Sequence, residues 1–98
     1  MLIVGCSHGT HLAKTIAKKL KKKYHELEYT KFPDSEIKLR FTCPIKGKYV
    51  VLVQSFYGNV NDCIVEALFA AETARDLGAK EVILAAPYFP YLRQDKRF

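Results

Sequence analysis

Tyr49-Val50-Val51-Leu52-Val53 is apolar at every position. A strand with one wet face alternates apolar and polar residues, so a continuous run belongs to a strand covered on both faces. Leu2-Ile3-Val4 ending at Gly5, and Glu81-Val82-Ile83-Leu84-Ala85-Ala86, carry the same signature near the two ends of the chain. The stretches between these runs have helical spacing. From about residue 11 to 22, with Thr10 as its cap, Leu12, Ile16 and Leu20 recur every four residues beside Ala13 and Ala17, with Lys14, Lys18, Lys21 and Lys22 on the other side. A second helix, capped by Asn59 or Asn61, carries Ile64, Val65, Leu68, Ala71 and Leu77, and Gly78 is placed to end it.

The middle of the chain has a different rhythm. Residues 26–32 alternate polar and apolar, Pro33-Asp34-Ser35 supplies turn chemistry, and alternation resumes with Ile37, Leu39 and Phe41. Two alternating strands around a short turn make a hairpin, expected at a sheet edge. The order β–α–(β-hairpin)–β–α–β predicts an α/β fold: a mostly parallel sheet with flanking helices and an inserted antiparallel hairpin.

Composition narrows the class. Ninety-eight residues, 49% hydrophobic and 27% charged, describe one globular domain and exclude disordered or fibrous chains. No apolar run approaches the roughly 18 residues of a membrane span, and the N-terminus lacks a signal-peptide pattern, so a cytoplasmic protein is expected. Cys6, Cys43 and Cys63 are widely spaced, which argues for free thiols rather than disulfides or zinc. Residues 1–48 hold eleven basic against four acidic side chains. Such a front half raises a nucleic-acid hypothesis on Lys14, Lys18, Lys21 and Lys22, but no aromatic RNA-binding signature accompanies them, and a solvated helix face explains them better.

Ligands of open parallel sheets bind beyond the carboxyl ends of the strands. Gly5 and Gly9 before a helix make a phosphate cradle conceivable there, although neither G-x-G-x-x-G nor a Walker motif is present. His8 and His11 have no third ligand nearby, and nothing supports a role for His25. After the last apolar run comes Tyr88-Phe89-Pro90-Tyr91-Leu92-Arg93-Gln94-Asp95-Lys96-Arg97. Arg93 can fork onto a phosphate or stack on a base, and Gln94 offers both a donor and an acceptor to a heterocycle or ribose. In the hairpin turn, Asp34 and Glu36 can accept hydrogen bonds from an amine or ribose hydroxyls, with Phe32 as a flat apolar face; an ordinary Pro-Asp turn explains the same spacing.

Taken together, Phe32-Pro33-Asp34-Ser35-Glu36, Val53-Gln54-Ser55, Asn61-Asp62 and Pro87 through Lys96 resemble the ribose-phosphate diphosphokinase (phosphoribosyl pyrophosphate synthetase) family in order and spacing, over essentially the whole chain. The resemblance implies a phosphoribosyltransferase-like (type I) fold and transfer of the diphosphoryl group of ATP to C1 of ribose 5-phosphate, giving phosphoribosyl diphosphate and AMP. It implies ATP contacts at Phe32, Asp34, Ser35 and Glu36 from one subunit and at Arg93 and Gln94 from its neighbour, and hence a homo-oligomer. Ser35 stands where the family often has Gly. The resemblance further implies that residues 1–98 are an incomplete N-terminal α/β domain, with a second domain and the Mg²⁺ ligands beyond residue 98 and no turnover by this stretch alone. No catalytic or metal-binding residue is expected within it, and neither nucleic acid nor membrane is an expected partner. An assembly or regulatory module without catalysis is the alternative, and a small nucleic-acid binder a weaker one.

Overall fold

The computed structural model describes residues 1–34 and 36–87. Along the chain run β1 (Leu2–Gly5), α1 (Thr10–Leu20), β2 (Tyr24–Glu26), β3 (Glu28–Lys31), β4 (Ile37–Arg40), β5 (Tyr49–Val53), α2 (Val60–Asp76) and β6 (Glu81–Ala85). Among the described residues the main sheet has the order β2-β1-β5-β6, and all its pairings are parallel. β3 and β4 form a separate antiparallel pair, with Glu28 opposite Arg40 and Lys31 opposite Ile37.

The unbroken apolar run of β5 is explained by its two neighbours. Val50 and Leu52 face the α2 side, where they pack with Val4, Cys6, Ala70 and Ala74. Val51 and Val53 face α1, packing with Ile3, Ala13 and Ala17. Alternate residues of one strand thus enter two different cores.

Five expectations need correction. The last apolar run, expected to be a strand covered on both faces, forms β6, which among the described residues is at the edge of the sheet with Ile83 and Leu84 exposed. The strand read over 26–32 is two strands, divided at Leu27, which is buried in the α2-side core and donates its N–H to the Gly5 carbonyl at 3.0 Å. Leu27 thereby closes the ladder of the parallel sheet and turns the chain out of it, so the hairpin is not an edge of that sheet but a pair of its own. Gly9, not Thr10, occupies the N-cap of α1, and the Thr10 hydroxyl reaches back to the Cys6 carbonyl at 3.4 Å. The same helix stops at Leu20, because Lys21 adopts a left-handed conformation (φ 54°) that lets Lys22 N–H bond the Ala17 carbonyl at 2.9 Å. Leu20 itself is exposed.

The last correction concerns α2. Its core face is the line of small residues Cys63, Ala67, Ala70 and Ala74, with Glu66 among them, while Val65, Leu68 and Leu77 are exposed. Small side chains bring the helix axis close to the sheet, and the bulky residues are left on the flanks and crest. Asn59 caps α2 by accepting from Asp62 N–H at 3.4 Å, and Gly78 follows its end with φ +91°.

Candidate functional site

The strand order sets where a ligand crevice would open. From β1 the chain crosses through α1 to β2 on one side; from β5 it crosses through α2 to β6 on the other. The connections diverge between β1 and β5, the topological switch point at which such sheets usually bind ligands.

In this chain the switch point is filled from within. A Cβ on Gly9 would lie 1.8 Å from the Val53 carbonyl oxygen, so glycine is required there by close backbone contact. Cys6 N–H donates to that same carbonyl at 3.0 Å, and Ser55 N–H donates to the His8 carbonyl at 3.2 Å. His8 N–H donates to Gln54 Oε1 at 2.8 Å, and Gln54 Nε2 donates to Glu66 Oε1 at 3.0 Å. Ser7 completes the set: its N–H donates to Glu66 Oε2 at 2.7 Å and its hydroxyl to Glu66 Oε1. Gln54 and Glu66 are fully buried. The phosphate-cradle expectation at Gly5–Thr10 is therefore corrected: the anion met by the Ser7 N–H is the chain's own carboxylate.

The His8 ring sits between two further polar side chains. Nδ1 lies 3.0 Å from Ser7 Oγ and 3.4 Å from Cys63 Sγ. The Ser7 hydroxyl donates to Glu66 Oε1, and the Cys63 thiol reaches the Tyr57 carbonyl at 3.7 Å. Burial, and then the nearby Glu66 charge, push the Cys63 thiol above its ordinary range. It stays protonated near neutrality and is no nucleophile. Cys6 is shifted upward in the same way, by burial first and then by Glu66. The three cysteines are free. Among the described residues no three His, Cys, Asp or Glu side chains are grouped to hold a metal ion.

The hairpin turn presents its residues at the surface. Phe32 N–H donates to the Glu36 carbonyl at 2.7 Å, and Glu36 N–H donates to Asp34 Oδ1 at 3.1 Å. The Asp34 side chain thus folds back onto its own turn as an Asx cap, while Phe32 and the Glu36 carboxylate are exposed. The turn is tied to α2 by Lys31 Nζ, 2.9 Å from Asp62 Oδ2, and this bond raises the lysine's affinity for its proton. Between turn and helix lies a groove of about 420 Å³, lined by Glu36, Ile37, Asp62, Val65 and Phe69.

Of the expected site residues, Phe32, Asp34 and Glu36 share this turn; Ser35, Arg93 and Gln94 lie outside the described residues. Glu66 and Ser7 had no motif of their own. The signal that finds Glu66 is positional: it falls on the Cys63–Ala67–Ala70–Ala74 face, where a carboxylate must be bonded to be tolerated.

The comparisons agree with this architecture. A family model described as the N-terminal domain of ribose phosphate pyrophosphokinase matches residues 1–98. A ribose-phosphate pyrophosphokinase from Methanothermobacter thermautotrophicus is 39% identical over 97 residues, covering 99% of this chain and 34% of the relative. A crystal structure of phosphoribosylpyrophosphate synthetase from Mycobacterium smegmatis superposes with a TM-score of 0.87 at 27% identity, over 98% of this chain and 33% of that one. A hypoxanthine-guanine phosphoribosyltransferase from Bacillus anthracis shares the fold, with a TM-score of 0.65 at 12% identity over 87% of this chain and 51% of that one. The chain thus spans about a third of the length of the curated relative. With a match running from the first residue to the last, the chain belongs to the N-terminal domain family of the ribose-phosphate pyrophosphokinases.

Proposed function

We propose that the chain acts as the N-terminal α/β domain of a ribose-phosphate diphosphokinase and supplies its ATP-binding residues. In the reaction, the C1 hydroxyl oxygen of ribose 5-phosphate attacks the β-phosphorus of ATP, the bond from that phosphorus to the α,β-bridging oxygen breaks, and AMP leaves as the hydroxyl loses its proton. The observation that carries the reading is the family correspondence over residues 1–98. The turn supports it, since its closing hydrogen bonds leave the Phe32 ring and the Glu36 carboxylate exposed together.

In this reading Phe32 lies against the adenine, Asp34, Ser35 and Glu36 meet the adenine and ribose end, and Arg93 and Gln94 of a neighbouring subunit reach ATP from the other side. Arg93 neutralises phosphate charge while the diphosphoryl group is in transit. Magnesium supplies charge neutralisation in such transfers; among the described residues no three His, Cys, Asp or Glu side chains are grouped to hold it, and this reading assigns its ligands to another part of the protein. On this reading the domain has no turnover by itself.

The test uses the full-length protein, measuring ATP affinity and transfer of labelled diphosphate from ATP to ribose 5-phosphate. Arg93→Ala and Phe32→Ala should each weaken ATP binding about 10- to 100-fold, as loss of a charge-assisted fork or a stacking face does. Unchanged ATP affinity and turnover in both variants would remove these residues from the site.

A further inference from the structure

We infer that Lys31 is a positioning residue for the nucleotide end of the site: its ion pair with Asp62 aims the turn at 32–36. The inference rests on the ATP-site reading above and names the device that holds the turn in place. Two strands paired only with each other are marginal on their own, so β3 and β4 depend on what they lean against. The base of the hairpin is well anchored, since Leu27 is buried in the α2-side core and Leu39 and Phe41 pack against it. The far end is held more loosely. Phe32 is exposed, and so are Val65 and Phe69, which line the groove with Ile37. Among the described residues, the ion pair that joins hairpin to helix is Lys31 Nζ to Asp62 Oδ2 at 2.9 Å; the other pair, Arg40 with Glu28, stays within the hairpin.

Asp62 is a fixed point. It stands in the first turn of α2, where the helix dipole favours a carboxylate, and its N–H donates to Asn59 Oδ1 at 3.4 Å. The helix itself is held on the sheet by its buried face of Cys63, Ala67, Ala70 and Ala74. Rigidity thus runs from the sheet to α2, from α2 to Asp62, and across the ion pair to the residue that precedes Phe32. Strand alternation carries it into the turn. Tyr29 and Lys31 share one face of β3. That face is turned to α2, for the Tyr29 phenol is pushed up by burial first and then by the charges of Glu66 and Asp62. Phe32 continues the ladder through its N–H to the Glu36 carbonyl, so its ring lies on the opposite face, away from the helix. A grip on one face of the ribbon sets the angle of the ring on the other. Both partners of the pair are partly exposed, at 43% and 39%, and such pairs contribute little to folding stability. What this one supplies is direction.

The experiment is saturation kinetics with ATP and with ribose 5-phosphate on the full-length protein carrying Lys31→Met, Asp62→Asn, both together, or Lys31→Arg, with urea unfolding in parallel. Each of the two single removals should raise the KM for ATP about 10-fold, as a misplaced contact away from the chemistry does. The kcat and the KM for ribose 5-phosphate should stay within about 2-fold of the parent, because binding is lost equally from ground and transition states. The two removals change net charge in opposite directions, so a rise in both reports position rather than charge. The double variant should be no worse than either single one, since both residues act through one interaction. Lys31→Arg keeps the pair and should keep the KM for ATP. Urea midpoints should stay near that of the parent. A merely structural role gives the reverse pattern, a lowered midpoint and kcat with the KM for ATP spared, and that result overturns the inference. So does a double variant whose KM rises about 100-fold, the product of two independent effects. Phe32→Ala is the reference. A raised KM for ATP there, with none in the Lys31 and Asp62 variants, overturns this inference alone, whereas no change in any variant removes the ATP-site reading and the inference with it.

Discussion

Glu66 is a carboxylate buried on a helix, without a cationic partner among the described residues, and its tolerance depends on the donors aimed at it. Ser7 gives both its N–H and its hydroxyl, and Gln54 gives its amide. Replacing it by Leu leaves the buried Gln54 amide unbonded, costing on the order of 1–3 kcal/mol, and removes the acceptor of the exposed Ser7 N–H and hydroxyl at a smaller cost. Glu66→Leu should therefore lower unfolding free energy by about 3 kcal/mol in urea titration, and Glu66→Gln by less, because one acceptor oxygen is kept. A loss below about 0.5 kcal/mol for the leucine variant would show that the Ser7–Gln54–Glu66 set does not hold the first loop. Nothing in the residues around position 66 announces this role, because a glutamate on an amphipathic helix is ordinarily a solvated residue. The meaning comes from Ser7 and Gln54, distant in sequence and adjacent only once β1 and β5 pair.

For the secondary structure, what the sequence could say depended on how many neighbours decide an element. β5 was readable residue for residue, since a strand covered on both faces is apolar throughout. The division of 26–32 at Leu27 was not, because alternation continues through it and only the bond to Gly5 and the burial under α2 show the break. The core face of α2 was hidden for a related reason: Ile64, Val65 and Leu68 outweigh the alanines in hydrophobicity, yet the helix approaches the sheet on its small side chains. The turn residues Phe32, Asp34 and Glu36 were visible through their local chemistry, whereas their tie to Asp62 of α2 through Lys31 is a tertiary fact. The end of α1 carries its own prediction. Lys21 sits at φ 54°, a conformation that glycine adopts without a Cβ penalty. Lys21→Gly should stabilise the domain by up to about 1 kcal/mol in thermal unfolding, and a destabilisation would mean that the lysine side chain contributes more than its backbone strain costs.

The molecule as a whole joins a parallel sheet, covered by one helix on each face, to a hairpin standing outside it, and its acid sensitivity is a property of that whole. His25, in β2 at the edge of the sheet, is held below the ordinary histidine value of 6.5 by burial and then by the Lys23 charge. The unfolded chain thus binds this proton more readily than the folded one. Stability rises with pH through the region just below 6.5 and falls as the solution is acidified through it. A chain already at formal charge +6 adds self-repulsion as the solution is acidified. Urea titrations between pH 7 and 5 should show this decline, and His25→Asn should flatten it; an equal slope in the variant would assign the decline to other groups. The crevice between β1 and β5 leads further. Glu66 stands where sheets of this topology commonly admit an anionic guest, so the domain can take in such a guest only by surrendering its own side chain. Cutting that residue back to alanine opens a hole shaped like a small carboxylic acid, and acetate or formate in the buffer becomes the natural plug for it.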